Sequence, residues 1–527
     1  MSRLIFVAAI MGMALSAHAS GQTEPEQPTR LEVPPPAQLE PAPPPPRAAQ
    51  DPGPAAKDQT AAGALRASDH TAFGSSGSPP PPSVTGTGFD FGSYGRVSIG
   101  SDLRGHTGHG VNVVSFGSRL EKPTYLEVNF FYGGTIGDDP SRRWRVVIVP
   151  AFAGDLFHFS GNFSQHFALR NAYAETENLG ARGLRLWAGS RMYRGDDVYL
   201  FDFWPLDNLN TVGGGAGYNF NRERTDVAVQ IGMNRLDDLY QHQQIRVPAR
   251  RLPQGVPLLT PTPATMEVTT LDRPRLVVSF KGTQFLRDLS ALPNAKLVLY
   301  GEFHYLPAGE RQFPGQGQPP LVLPEDYGGV IGAQVGSWLR PFVFANLFLR
   351  AAFGLAAFGD LGRPYGFDQS LRVSGARELT VALSANWESK WLGLMSGAYF
   401  RVFRDASQSD GAGFDEGAMA LRPTVYFTRY LHTAVELSYQ ARRPVTVDQE
   451  TGAPLLPQVF RLSLMPLVAP LGRGTYSRPF LYGIYTMSLL NADAQHVLFD
   501  PQDVRAGQSV IHYLGLGAEW WFNSSYR

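Results

Sequence analysis

The chain has 527 residues, and its 46 Lys plus Arg balance 46 Asp plus Glu, so no overall charge recruits nucleic acid. It has no cysteine, which excludes disulfide staples and thiolate-built zinc or iron–sulfur centres. Aromatics are plentiful, with 33 Phe, 21 Tyr and 8 Trp, as membrane-interface girdles and stacking surfaces both require.

Residues 1–19 are expected to be a secretory signal peptide. Arg3 gives the positive start, Leu4–Leu15 the apolar run, and Ala17-His18-Ala19 the small-x-small cleavage pattern. About a dozen apolar residues are too few to span a bilayer as a helix. Residues 20–87 are expected to be a disordered proline-rich periplasmic linker. Pro34–Pro36, Pro43–Pro46 and Pro79–Pro82 punctuate it, and no aromatic residue occurs between Gly21 and Thr71. Such a chain cannot bury enough apolar surface to offset its ordering entropy, so an extended tether is predicted. A periplasmic partner that reads proline-rich chain is the alternative use of this arm, and no sustained heptads mark a coiled coil.

From residue 88 to 527 the pattern changes to period two. Asp90, Gly92, Tyr94, Arg96 and Ser98 share one face, with Phe91, Val97 and Ile99 on the other. Tyr125, Glu127 and Asn129 oppose Leu126, Val128 and Phe130, and the same alternation recurs over 226–233, 296–305, 435–440 and 460–464. Period two calls for strands. About 440 residues of strand without helical interruption is too much for one soluble sandwich. The apolar faces also carry aromatics near strand ends, as a lipid-facing band does. In hydrocarbon every backbone N–H and C=O needs a partner, and strands achieve this only by closing into a barrel. At roughly two dozen residues per strand and connection, the length fits on the order of 16 to 20 strands.

Phe342–Gly359 is apolar enough to suggest a membrane helix, but Asn346 and Arg350 interrupt it and fall on one face of a strand. Two strands, or a strand and a turn, are predicted there. Connections over Arg246–Pro274 and Leu306–Pro324 are rich in Pro and Gly and read as outer loops. At the end of the chain, Trp521 shares a face with Tyr513 and Glu519, whereas Trp520 and Phe522 side with Leu514 and Leu516. Trp521 is therefore expected in the lumen and Trp520 and Phe522 against lipid. The chain runs five residues beyond this aromatic end.

The stretch Leu184–Asp207 fits neither core nor ordinary loop. Arg191, Arg194, Asp196, Asp197 and Asp202 alternate there with Tyr193, Tyr199, Phe201, Phe203 and Trp204. A core excludes such charges, and a solvated loop rarely carries so many rings. Trp187-Ala188-Gly189-Ser190-Arg191-Met192-Tyr193, then Asp197-Val198 and Asp202-Phe203-Trp204, resemble in order a segment of the maltoporin family, the sugar-specific outer-membrane porins. The resemblance implies an all-β transmembrane antiparallel β-barrel of eighteen strands, an inward-folded constriction loop, and a homotrimer set in outer-membrane lipid.

Sugars have apolar C–H faces and hydroxyl rims, so a sugar passage needs rings to stack on the faces and charged groups to bond the rims. In the family these form an aromatic slide beside a polar track. Phe89–Arg96 resembles its opening strand, which implies Tyr94 for the slide and Arg96 for the track. Thr124–Glu127 supplies Tyr125 to the slide and Glu127 to the track; Arg119 matches a track arginine across a short gap, and Arg170 matches another within Phe167–Asn171. Asp197 and Asp202 fall on track carboxylates and Trp204 on the constriction aromatic. Gly195 stands where the family has an arginine, with Arg194 beside it as the substitute, and Phe427 and Trp521 take the places of slide tryptophans. Alternation by itself places Tyr94, Arg96, Tyr125, Glu127 and Trp521 on polar faces; the bland role for each ring is a girdle and for each charge a solvated wall.

No other chemistry is marked. His106-Thr107-Gly108-His109 lacks the carboxylate or cysteine company of a metal site, and Gly213–Gly217 does not lead from a buried strand into a helix, so no phosphate cradle is expected. No G-x-S-x-G elbow occurs. The expected protein is a non-enzymatic porin for (malto)oligosaccharides or related sugars, without cofactor or metal. A general or ion-selective porin on the same scaffold is the main alternative, and an outer-membrane enzyme or adhesin a more distant one.

Overall fold

The structure is a computed structural model that describes residues 87–523, apart from 164–165, 221–223, 249–264, 290–291, 316, 408–412, 446 and 449–451. The expected signal peptide and nearly all of the expected linker lie outside the described residues.

The chain opens with β1 (Gly88–Ser101), β2 (Tyr125–Ile136), β3 (Asp139–Ala153), β4 (His166–Glu177), β5 (Leu184–Arg194), β6 (Asn208–Phe220) and β7 (Thr225–Asn234). A hairpin of β8 (His242–Pro248) and β9 (Thr265–Asp272) follows, then β10 (Arg275–Leu289) and β11 (Leu292–Leu306). A second small hairpin, β12 (Gly309–Arg311) with β13 (Leu321–Leu323), precedes β14 (Asp326–Arg340), β15 (Val343–Gly354), β16 (Arg377–Glu388) and β17 (Leu392–Arg404). The last strands are β18 (Phe414–Tyr426), β19 (Leu431–Pro444), β20 (Gln458–Val468), β21 (Phe480–Leu490) and β22 (Val510–Phe522).

Eighteen of these strands form one antiparallel sheet. Each pairs with the next, β7 with β10 and β11 with β14, and β22 returns to β1 from Ser93↔Phe522 to Ser101↔Leu514. That last pairing abolishes the sheet edge, so the ladder has no unpaired strand to expose to lipid.

The alternation resolves into an inside and an outside. In β11, Lys296, Val298, Tyr300 and His304 are buried inside the barrel while Leu297, Leu299 and Phe303 are exposed on its outer wall. In β20, Arg461 and Ser463 are buried and Phe460, Leu462 and Leu464 exposed. Asn346 of β15 is buried inside, and Phe342–Gly359 is a strand running into a 3-10 turn, Leu355–Phe358, rather than a helix. So continuous an apolar exterior is a liability in water and a requirement in hydrocarbon.

The two ends differ. Most turns at one end are short, as between β2 and β3 or β18 and β19; connections at the other are long. In bacterial barrels the short-turn end faces the periplasm, and β1 begins there, with Gly88 paired to Gly133 beside the β2–β3 turn. The long connections expected to lack sheet do contain some: β8 pairs with β9 and β12 with β13. Short ladders satisfy backbone groups that bare loops would leave to water.

Candidate functional site

The connection 195–207, between β5 and β6, folds into the barrel instead of away from it. A 3-10 turn at Tyr199–Phe201 and left-handed Asp202 (φ 50°) reverse the chain, closed by the Val198 N–H donating to the Phe203 carbonyl at 2.7 Å. Its tip docks on the inner face of β17, where Phe201 and Phe203 lie 5.7 and 5.2 Å from the Tyr399 ring. Phe203 also stacks on Phe116 of the β1–β2 connection at 4.0 Å. Two glycines make room: a Cβ on Gly397 would meet Val198 at 2.6 Å, and one on Gly332 would meet Leu206 at 2.4 Å.

Ion pairs tether the arms of this loop. Asp196 meets Lys296 and Asp207 meets Lys281, each at 2.5 Å. Burial pushes the Asp196 carboxyl up, but the Lys296 ammonium beside it holds it down at about 2. At the tip, Asp202 receives Arg96 at 2.7 Å, Arg119 at 2.9 Å and Lys122 at 3.1 Å. Burial opposes its ionisation, yet Arg119, Lys122 and Arg96 together keep its carboxyl well below the usual carboxylate range. Arg119 also reaches Glu519 at 2.9 Å and donates to the Tyr94 hydroxyl at 2.7 Å. The Tyr199 hydroxyl donates to Glu519 at 3.0 Å.

On the wall beside the loop tip, rings and charges occupy adjoining cross-strand rows. Glu127 of β2 faces Tyr94 of β1, which faces Trp521 of β22. One row along, Tyr125 faces Arg96, which faces Glu519. Tyr94 and Tyr125 lie 5.9 Å apart between ring centroids. Tyr125 donates a short hydrogen bond to Glu127, and Arg170 donates to the Tyr125 hydroxyl and to Glu127, the latter at 2.9 Å. Arg170 owes its position to a β-bulge: the β3–β4 register jumps from Val149↔Asn171 to Pro150↔Leu169 and leaves it out of the ladder.

The expected site residues thus divide. Arg96, Arg119, Asp202, Glu127, Arg170, Tyr94, Tyr125 and Trp521 come together on one wall. Tyr94 is only 1% exposed, covered from above, so it positions the arginines and offers no free ring face. Trp204 stands on the returning arm of the loop with Arg194 over its ring at 4.1 Å, and Arg194 donates to Asn208 at 2.5 Å. Asp197 is buried at the start of the loop.

Phe427 is elsewhere. Glu416, Ala418, Ala420, Arg422, Thr424 and Tyr426 are the buried positions of β18, so Phe427 continues the outward set; it is 64% exposed in the short turn after the strand. Tyr430 in the same turn and Trp391 in the adjoining β16–β17 turn are also exposed. An aromatic collar at the membrane rim, not the lumen, is where this ring sits.

Three contributors were not singled out from sequence as site residues: Lys122, Glu519 and the β20–β21 connection, 469–479. This connection is long for the short-turn end and reaches inward. Thr475 donates to Asn386 at 3.0 Å and to Glu388 at 2.5 Å, while Tyr476 lies 5.4 Å from Tyr199. Arg478 lies 4.2 Å over the Trp521 ring and 3.3 Å from Glu519. The available signal was Gly472 and Gly474, both with positive φ (104° and 140°), inside a connection of unusual length.

A closed lipid-facing barrel with its lumen narrowed by an inward loop is an outer-membrane porin, a channel. The chain belongs to the LamB porin family, whose model matches residues 89–522. Among solved structures it is similar to the outer membrane channel DcaP of Acinetobacter baumannii, at 10% identity over 82% of this chain and 98% of that one, TM-score 0.40. It is similar to OccD3 of Pseudomonas aeruginosa, at 10% identity over 86% and 94%, TM-score 0.40. It is also similar to OprB of Pseudomonas putida, at 10% identity over 82% and 94%, TM-score 0.37. At that distance these likenesses bear on neither solute nor selectivity. No curated protein matches the chain.

Proposed function

We propose that this porin is selective for carbohydrates and passes (malto)oligosaccharides or related sugars by passive diffusion. The observation that supports it is the pair of rows Glu127–Tyr94–Trp521 and Tyr125–Arg96–Glu519, which set rings beside charged hydrogen-bonding groups on one inner wall. Tyr125, Trp204 and Trp521 would stack on sugar faces, and Arg96, Arg170 and Arg194 would exchange hydrogen bonds with the rims, with Glu127 and Asp202 behind them as the counter-charges that position the track. Contacts individually weak enough to break let the solute leave. A homotrimer is proposed on the strength of family membership, and residues 1–19 and 20–87 are proposed as signal peptide and periplasmic arm.

Maltooligosaccharides or sucrose added to planar bilayers should block the ion current. Tyr125→Ala should weaken the block roughly two- to tenfold, the range of one aromatic contact. Absence of block by every sugar tested, neutral or acidic, would reject the reading. A general or ion-selective porin is the second reading, favoured by the covering of Tyr94 and by Arg478 over Trp521, which shorten the free aromatic strip. That porin would show a steady, sugar-insensitive current.

A further inference from the structure

The charged groups of the wall are not equally presented to the passage. In the pair Arg170–Glu127 the arginine side chain is 22% exposed and the carboxylate 0%. Glu175, 4% exposed, lies behind both Arg145 at 11% and Arg191 at 16%, which reach it at 2.5 and 2.9 Å. Lys122, at 28%, is the most open of the three cations that share the single carboxylate of Asp202. At Glu127 and Glu175 the carboxylate forms the back of the pair and the arginine the front; at Asp202, Lys122 and Arg96 stand forward of the carboxylate while Arg119 lies deeper. Glu175 is outnumbered two to one, and Asp202 three to one.

The cations also follow one another along the wall. Arg170 sits at the bulge, Arg191 stands on β5 beside it, Arg145 pairs with Glu175 further down, and Arg185, opposite Glu177 in the ladder and ion-paired with Asp226, comes next towards the short-turn end. Arg191 is held rigidly: its guanidinium lies 4.8 Å from both the Tyr173 and Trp187 rings and 5.3 Å from Tyr193. A guanidinium fixed by stacking keeps its N–H fork pre-organised, and that fork matches a carboxylate or a phosphate in a two-pronged contact. Low-dielectric walls focus the resulting positive field along the lumen.

We propose that the passage favours sugars bearing an anionic group, a carboxylate or a phosphate, over neutral ones, with Arg170, Arg191 and Arg145 as successive stations for that group. This rests on the carbohydrate reading above and names the class of sugar. Recessed Glu127 and Glu175 keep each station weak, so an anion is passed on and not trapped.

The test uses the full chain in planar bilayers. A potassium chloride gradient should give a reversal potential on the chloride side. Galacturonate trimers, and separately a sugar phosphate, should block at a concentration at least about tenfold below that of neutral maltotriose. The advantage should shrink between 0.1 and 1 M salt, where the screening length falls to about 3 Å. Arg145→Gln with Arg191→Gln should erase it; the salt series on the unaltered protein decides the matter if that variant fails to assemble. Maltotriose block with no advantage for acidic sugars at low salt overturns this inference and leaves the carbohydrate reading standing. Block by neither, with a current that still prefers chloride, overturns both.

Discussion

Two sectors of the inner wall obey the same alternation and do opposite things with it. Along β2–β5 the inward positions include Arg145 and Arg191, which stand towards water, with Glu127 and Glu175 buried behind the arginines they pair with and Val147, Val149, Tyr173 and Trp187 buried among them. Along β15–β18 the inward positions include Phe348, Ala382, Tyr399, Ala418 and Ala420, all buried in one cluster with Val198, Tyr199, Leu200 and Phe201 of the inward loop. Inward does not mean polar. Where the inward loop docks, side chains such as Phe348, Ala382 and Ala418 form an apolar floor; where it does not, arginines such as Arg145, Arg170 and Arg191 stand forward into the passage. Burying Leu200 and Phe201 contributes roughly 1.5–3 kcal/mol each towards offsetting the loop's ordering entropy, with the ion pairs and the other apolar contacts supplying the rest.

The largest break in this division should come from Asp202→Ala. It leaves Arg96, Arg119 and Lys122 without their common carboxylate, and stripping one partner from a buried ion pair costs about 3–5 kcal/mol. Single-channel current should rise and become noisy, and protease should begin to cut within 195–207; a current of unchanged size and noise would mean the tip is held by apolar contact alone. The same group sets a pH expectation. A carboxylate whose folded value is depressed contributes stability fully above its released value, near 4, and loses it only as pH falls further towards the folded value. Because Arg119, Lys122 and Arg96 hold Asp202 far down against its burial, conductance should stay flat from pH 7 to 4 and change only below. A step centred at pH 4 or above would contradict the tight grip on this carboxylate.

A milder perturbation acts from the floor. Gly397→Val puts side-chain carbon where Val198 already lies, a Cβ contact of 2.6 Å, and overpacking of this kind costs about 1–3 kcal/mol. Conductance should rise less than with Asp202→Ala, with the Lys296–Asp196 and Lys281–Asp207 tethers still holding the arms. Gly213 offers a control of a different sort, since a Cβ there would strike the β7 backbone and disturb the barrel wall and not the loop. The smallest effect is expected for Phe427→Ala. An exposed ring in the outer collar should change stability by no more than about 0.5 kcal/mol and leave any sugar block as it was; lost block would return Phe427 to the lumen.

Most of the fold was legible before any coordinates. Period two at Asp90–Ile99, at Lys296–Tyr305 and at Tyr513–Phe522 assigned inside and outside correctly, because one face of each strand meets lipid and the other does not. The site was legible in part. Tyr125, Glu127, Arg96 and Trp521 lie in regular strand, where parity carries the information, and they came out on one wall. Phe427 misled because it lies one residue past a strand end, where a matched motif and the local parity disagree. Lys122 and the 469–479 connection left little trace, since irregular chain has no period to read. The exposures that distinguish the arginines from their carboxylates have no signature in sequence at all.

The sequence by itself determined that this chain closes into a barrel and which side chains point inward, because both follow from alternation and from the need to pair every backbone group in hydrocarbon. Tertiary structure alone decided which inward side chains meet the solute. That depends on where two loops and one turn come to rest, through contacts such as Asp202 with Arg119 and Phe203 with Phe116. Those partners lie some 80 to 90 residues apart in the chain, and no local pattern encodes a meeting at that distance.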